Sequence, residues 1–255
     1  MTAFILRMPS GVPGALSRTG QAVAVEPGIL LSGSAPPSYG VPVAIDPATG
    51  HVRGLQAGDV GSSVYAFLVR PFPTQGGDGQ TTGLGVSPPP STGAVDLLKM
   101  GYMSVASTRG TASKNSAVYA RVAANASYPS SPVGGIEAAG DTPTPVGTAG
   151  TNTGNGTIGS LSATAATIAG SWKVVFTGAT TFGVFDPNGV ERTNGTTGTA
   201  YTNDGLSFTI TAGATAFVAN DSFTVAVTQN NVQVPDAYFT GAADSSGNAE
   251  IAFNI

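Results

Sequence analysis

Residues 203–211 read Asn-Asp-Gly-Leu-Ser-Phe-Thr-Ile-Thr, a turn tripeptide followed by alternating apolar and hydroxyl side chains. Asn, Asp and Gly tolerate positive φ, so Asn203-Asp204-Gly205 predicts a tight reversal that feeds a strand. Side chains in a strand alternate faces, which puts Phe208 and Ile210 together on a buried side. The same pattern extends outward. Trp172 to Phe176, Thr181 to Phe185 and Ser222 to Val227 alternate in the same way, and Asp186-Pro187-Asn188-Gly189 supplies another turn. Together these segments predict a small β-sandwich of about five strands. Trp172, Phe176, Phe182, Phe185, Phe208 and Phe223 are read as its core in preference to a sugar-stacking platform.

Strands are also expected over Gln21 to Val25, Pro42 to Ile45, Val64 to Val69, Tyr102 to Ala106 and Ala117 to Ala123. A Pro- and Gly-bearing turn at Asp46-Pro47-Ala48-Thr49-Gly50 punctuates them. One short helical turn is expected around Ala94 to Met100. Residues Tyr128 to Gly156, rich in Pro, Gly, Thr and Asn, read as a linker. The end of the chain, from Tyr238 to Ile255, reads as a closing hairpin around Asp244 to Gly247. A lone hairpin is marginal in water, so this one must pack on another module. The fold class is therefore all-β.

Of 255 residues only 10 are Lys or Arg and 14 Asp or Glu, so 9% are charged where about 25% is usual. Nucleic-acid binding needs clustered basic residues, and a net charge of −4 with scattered Lys and Arg argues against it. A hydrophobic content of 41% argues against disorder. There is no cysteine, which removes disulfides, thiolate metal sites and cysteine nucleophiles together. Phe4-Ile5-Leu6 is too short for a signal peptide, and no run is long enough to span a bilayer. The expectation is a soluble protein that does not use the usual export signal.

Catalytic motifs are sparse. His51 is the sole histidine and follows a turn, where a solvated loop position is expected instead of a triad role. Asp186, Asp204 and Asp221 each adjoin a turn and read as turn formers. Gly154-Asn155-Gly156-Thr157-Ile158-Gly159 matches G-x-G-x-x-G but lacks the flanking strand and helix of a dinucleotide site. Sequons at Asn125, Asn155, Asn194 and Asn220 have no secretory context. No cofactor or metal is expected.

Several blocks outside the sandwich segment resemble the structural cement (head decoration) proteins of tailed bacteriophages. They are Met8-Pro9-Ser10-Gly11-Val12-Pro13-Gly14-Ala15-Leu16-Ser17-Arg18, Tyr39-Gly40-Val41-Pro42, Gly58-Asp59, Val64 through Thr74, and Gly101-Tyr102-Met103. Val118 to Val122, Gly134-Gly135-Ile136-Glu137-Ala138-Ala139 and the ending from Phe239 to Ile255 follow in order. The resemblance covers roughly residues 4–145 and 232–255. It implies a jelly-roll-like β base (1–146 plus 230–255) on the outside of a capsid. The intervening residues 147–229 would be an inserted small immunoglobulin-like β-sandwich in a surface loop, where insertions are tolerated. The implied partners are the major capsid protein and further copies of the chain as a dimer or trimer, with neither nucleic acid nor membrane involved. The implied location is the outer surface of the virion, after synthesis in the bacterial cytoplasm.

The N-terminal arm is expected to lie extended across capsid subunits, with Arg7 and Arg18 as charged anchors and Met8 and Leu16 as apolar ones. An alternative function is adhesion, in which the inserted domain binds a host surface or glycan. A glycan-cleaving enzyme would need acids gathered in a groove, and the few acids here sit mostly at turns. From Thr148 to Thr228 the only charged residues are Lys173, Asp186, Glu191, Arg192, Asp204 and Asp221, so the exposed face of this segment is the place to look for a contact.

Overall fold

The computed structural model describes residues 11–18, 23–71, 88–164 and 167–255. Two compact units result: Met1–Gly140 with Asn230–Ile255, and Asp141–Gln229. In the first unit the strands are β1 (Ala24–Leu30), β2 (Pro42–Ile45), β3 (Val52–Gly54), β4 (Ala66–Leu68), β5 (Gly93–Ala106), β6 (Ala117–Arg121) and β7 (Ile136–Glu137). The second unit holds β8 (Thr144–Ala149), β9 (Thr157–Ala163), β10 (Gly170–Phe176), β11 (Thr181–Phe185), β12 (Gly195–Thr196), β13 (Ala200–Asn203), β14 (Leu206–Thr211) and β15 (Ser222–Thr228). The chain then returns to the first unit through β16 (Asn231–Phe239) and β17 (Asn248–Phe253). Among the described residues the helical content is one 3-10 turn at Gly61–Ser63, and the protein is all-β.

In the first unit, β1, β3, β2, β4 and β5 pair in sequence, and β5 pairs back onto β1, closing a five-stranded ring. The β1–β3 contact is a single parallel pair, Leu30 with Val52, whereas the other ring pairings are antiparallel. Leu30, Val43, Val52, Ala66, Leu68, Val95 and Leu97 fill one core. The second half of β5 leaves the ring and pairs with β17, followed by β16, β6 and β7. Met103, Val105, Val118, Ala120, Phe239, Ile251 and Phe253 form a second core, which also takes Phe67 and Leu98 from the ring strands. The Phe67 and Phe253 rings meet edge to face at 5.0 Å. The base expected to be jelly-roll-like is thus all-β, with a five-stranded ring and four further strands whose last, β7, bridges back through Ile136 to Ser107 just after β5.

Two sequence expectations fail here for physical reasons. Ala94 to Met100 is strand, not a helical turn, because β5 changes its buried face partway along. Leu97 enters the ring core and Leu98 the second core, so the run lacks the alternation that marks a half-exposed strand. Tyr128 to Gly156 is not a linker either: it contains β7 and β8, and Ile136 and Glu137 are fully buried. Its side chains are small because β8 is an edge strand with little to fill. The closing hairpin forms as expected, with Gly247 N–H donating to Asp244 O, and it places β17 between β5 and β16 in the middle of the sheet.

The second unit is a sandwich of a five-stranded sheet, β12-β11-β10-β15-β8, and a three-stranded sheet, β13-β14-β9. Asp204 and Gly205 adopt φ of 52° and 78°, the geometry of the tight hairpin predicted there. Trp172, Phe176, Phe182, Phe208 and Phe223 are buried together with Phe217, whose ring stacks on Phe176 at 4.0 Å. Phe185 is the exception and lies half-buried on the opposite face of its strand.

Candidate functional site

The described part of the arm, residues 11–18, runs along the edge of β5. Gly14 N–H donates to Ser104 O, Ser104 N–H to Ala15 O and Ser17 N–H to Tyr102 O, at 2.8, 2.9 and 3.1 Å. Leu16 bridges to Met103 and packs against the second core. Arg18 forks onto Glu250 through Nε and Nη2, at 3.1 and 2.6 Å, with its guanidinium 4.1 Å from the Tyr102 ring centroid. Burial alone would raise the Glu250 carboxyl, but hydrogen bonds from Arg18, Thr240 and Ser17 outweigh it and hold it below its usual value. The structure therefore brings Leu16 and Arg18 together on the chain's own base, and Arg18 keeps a side chain 54% exposed. Arg7 and Met8 lie outside the described residues.

Where the chain leaves the first unit and returns to it, a buried polar cluster ties the two crossings together. Glu137, with no exposed side-chain surface, accepts from Arg121 Nε and Nη2, from Arg109 Nη1 at 3.1 Å and from Asn231 Nδ2 at 2.6 Å. Asn231 Nδ2 also donates to Ala139 O at 2.9 Å, and Arg109 Nη2 to Gly140 O at 3.0 Å. Tyr128 caps Arg109, with the guanidinium 4.0 Å from its ring centroid. Sequence reasoning missed this cluster, because Arg109, Arg121, Glu137 and Asn231 are far apart along the chain.

The acids expected at turns are there. Asp186 accepts from the N–H groups of Asn188 and Val190 and from Arg192 Nη2 at 2.6 Å. Asp221 accepts from the N–H groups of Thr153, Gly154 and Val218. Burial pushes both carboxyls up, yet these donors prevail and both sit below the ordinary value. The glycine-rich 154–159 stretch leads into β9 and wraps the Phe217 ring, which is a packing role. Among the described residues no group of three or more His, Asp or Glu side chains is placed to hold a metal ion.

Two outer surfaces stand out. On β1, Val25 and Ile29 are 41% and 56% exposed, with Pro27 exposed between them. Ile29 pairs with the exposed Ala94 and Pro27 with the exposed Asp96. A recess of about 230 Å³ lies beside this row, bounded by Pro27, Tyr39, Val69, Pro90 and Ala94. On the outer face of the five-stranded sheet, Lys173 stands in register between Phe185 and Thr224. A cleft of about 480 Å³ opens there, lined by Lys173, Val175, Phe185, Asp186, Pro187 and Thr224 among others. Arg192, the other basic residue of the unit, is engaged with Asp186 and Asp204.

Residues 1–253 match the family model described as XM1 gp53 minor capsid protein. The chain belongs to that family. It is a phage capsid protein, and the match runs continuously through the second unit as well as the first. No curated protein matches the chain. Among solved structures, two crystal forms of Xanthomonas campestris FlgL, in space groups C2 and H3, are 27% and 25% identical over 36% and 39% of this chain. Both align at a TM-score of 0.29, and the chain spans only 32% and 36% of the length of those proteins. That likeness is too partial to bear on fold or function.

Proposed function

We propose that this capsid protein is a non-enzymatic cement component that binds the outside of a tailed-phage shell and bridges major capsid protein subunits. The observation that carries the reading is the capsid-family match over residues 1–253. The ordered blocks that resemble cement proteins narrow it further. A protein that binds the assembled lattice in preference to dispersed subunits shifts the equilibrium toward the intact shell. Repetition over equivalent sites makes modest contacts avid. Copies would associate as a dimer or trimer on a capsid symmetry axis, and a surface poor in charge suits a protein packed against its neighbours.

The test uses virions of the encoding phage with this gene deleted. They should lose their DNA at a lower temperature than complete virions, and purified protein added from outside should restore the difference and appear on the outer surface by cryo-electron microscopy. Equal heat survival of both virions, or no external binding, refutes the reading.

A second reading, adhesion, rests on the Lys173 cleft. Lys173 and Phe185 side by side on an open sheet face suit a host surface glycan that carries acidic groups. In that case Lys173→Ala lowers adsorption to host cells and leaves heat survival of the virion unchanged.

A further inference from the structure

Strand β1 is inside out. A strand bordering a core should turn its large apolar residues inward, yet here the smaller or polar Ala24, Glu26 and Gly28 occupy the more protected positions, and Val25, Pro27 and Ile29 face solvent. The register cannot slip to correct this. A Cβ at Gly28 would lie 2.7 Å from Val52 Cγ2 and 2.8 Å from Leu97 Cδ1, so nothing larger fits there. Leu30, 2% exposed, anchors the end of the strand in the ring core. A one-residue shift would expel it. The outward apolar row therefore contributes nothing to the ring core, and folding of the ring does not account for it.

The row is distinct from the strand's edges: β5 pairs one edge of β1 along its length and β3 meets the other at Leu30, whereas Val25, Pro27 and Ile29 project from the sheet. It is a face. Val25 and Ile29, each about half exposed, offer on the order of 100 Å² of apolar area between them. Two copies meeting through this row would bury far less than the roughly 1,200 Å² of a stable interface. The shell, with which a minor capsid protein associates, engages further surface around the row, so that the row need supply only the apolar centre of a larger contact.

We infer that the β1 row of Val25, Pro27 and Ile29 is the apolar centre of the contact between the first unit and the shell, seated against an apolar, acid-free patch of the major capsid protein. The requirement for few acids in the partner follows from Asp96, which stands exposed opposite Pro27. The adjoining recess between Pro27, Tyr39 and Pro90 is placed to take a side chain from that patch. This inference rests on the external-binding reading above.

The test measures binding of the full-length chain to gene-deleted shells by sedimentation, for wild type, Val25→Thr/Ile29→Thr and Val25→Asp/Ile29→Asp. The Thr pair keeps β-branched side chains, so it preserves the strand, and circular dichroism melting checks that both variants fold. Wild type should bind, the Thr pair about 10-fold more weakly, and the Asp pair about 50-fold more weakly, equivalent to about 2.4 kcal/mol. Val146→Asp, an exposed valine of the second unit, should bind as wild type. Wild type that binds while a folded Thr pair binds within twofold of it overturns the inference alone. So does a variant that changes only the oligomeric state. Wild type that fails to bind shells overturns the external-binding reading and this inference with it.

Discussion

Replacing Glu137 by Gln tests whether the polar cluster at the chain crossings holds the first unit together. The carboxylate gathers donors from Arg121, Arg109 and Asn231, and Arg121 and Glu137 have no exposed side-chain surface. Gln keeps the shape but removes the negative charge, so a buried guanidinium loses its counter-ion and one carboxylate acceptor becomes a donor facing other donors. Breaking a buried pair on one side costs about 3–5 kcal/mol. For a unit of this size each kcal/mol lowers the midpoint by about 2–4 °C, so the expected drop is about 6–20 °C. Circular dichroism reads both units, whereas fluorescence of Trp172, the only tryptophan, reads the second unit's core. The circular dichroism transition of the first unit should move and the Trp172 transition should stay. A second variant, Arg121→Met/Glu137→Met, should recover much of the loss, because no unpaired charge remains fully buried and Arg109 reaches solvent. A Glu137→Gln shift under about 2 °C, or an equal shift of both transitions, refutes the reasoning.

Phe208→Ala empties a fully buried site that touches Tyr201 and Phe182, and should destabilise the second unit by about 3–5 kcal/mol in urea unfolding followed by Trp172 fluorescence. Asp221 has its folded pKa held below 3.8. Its contribution is therefore present above the unfolded value and is lost as pH falls through the folded one. The second unit should weaken on acidification below about pH 4, and Asp221→Asn should be less stable at neutral pH and show a flatter acid profile. Deleting 141–229 and joining Gly140 to Asn230 through a short Gly-Ser bridge should leave a cooperatively folded first unit, since Asn231 Nδ2 already reaches Ala139 O across 2.9 Å. Loss of its circular dichroism transition would show that the second unit is needed for folding.

Period-two segments with turn punctuation were legible one by one: Thr181–Phe185 and Leu206–Thr211 occupy the expected residues, and the buried side of each strand follows from alternation. Segments that change their buried face, or that are short or small in side chain, were not. β5 looks helical because Leu97 and Leu98 serve two different cores, β8 looks like a linker because an edge strand needs few large side chains, and β7 is two residues long, too short to show a period. The candidate contact row was hidden as well. Val25 closes the strand expected from the sequence and Ile29 lies beyond it, whereas β1 runs Ala24–Leu30, and only pairing with β5 and the crowding at Gly28 fix both side chains outward.

The sequence by itself determined the all-β class, most turns and most of the aromatic core of the second unit, because these depend on local backbone preference and on a two-residue period. The ring closed by β1 on β5, the Glu137 cluster and the outward face of β1 were decided by tertiary structure. Each depends on residues that meet across long separations in the chain, and alternation fixes only that two faces differ, not which of them finds a core.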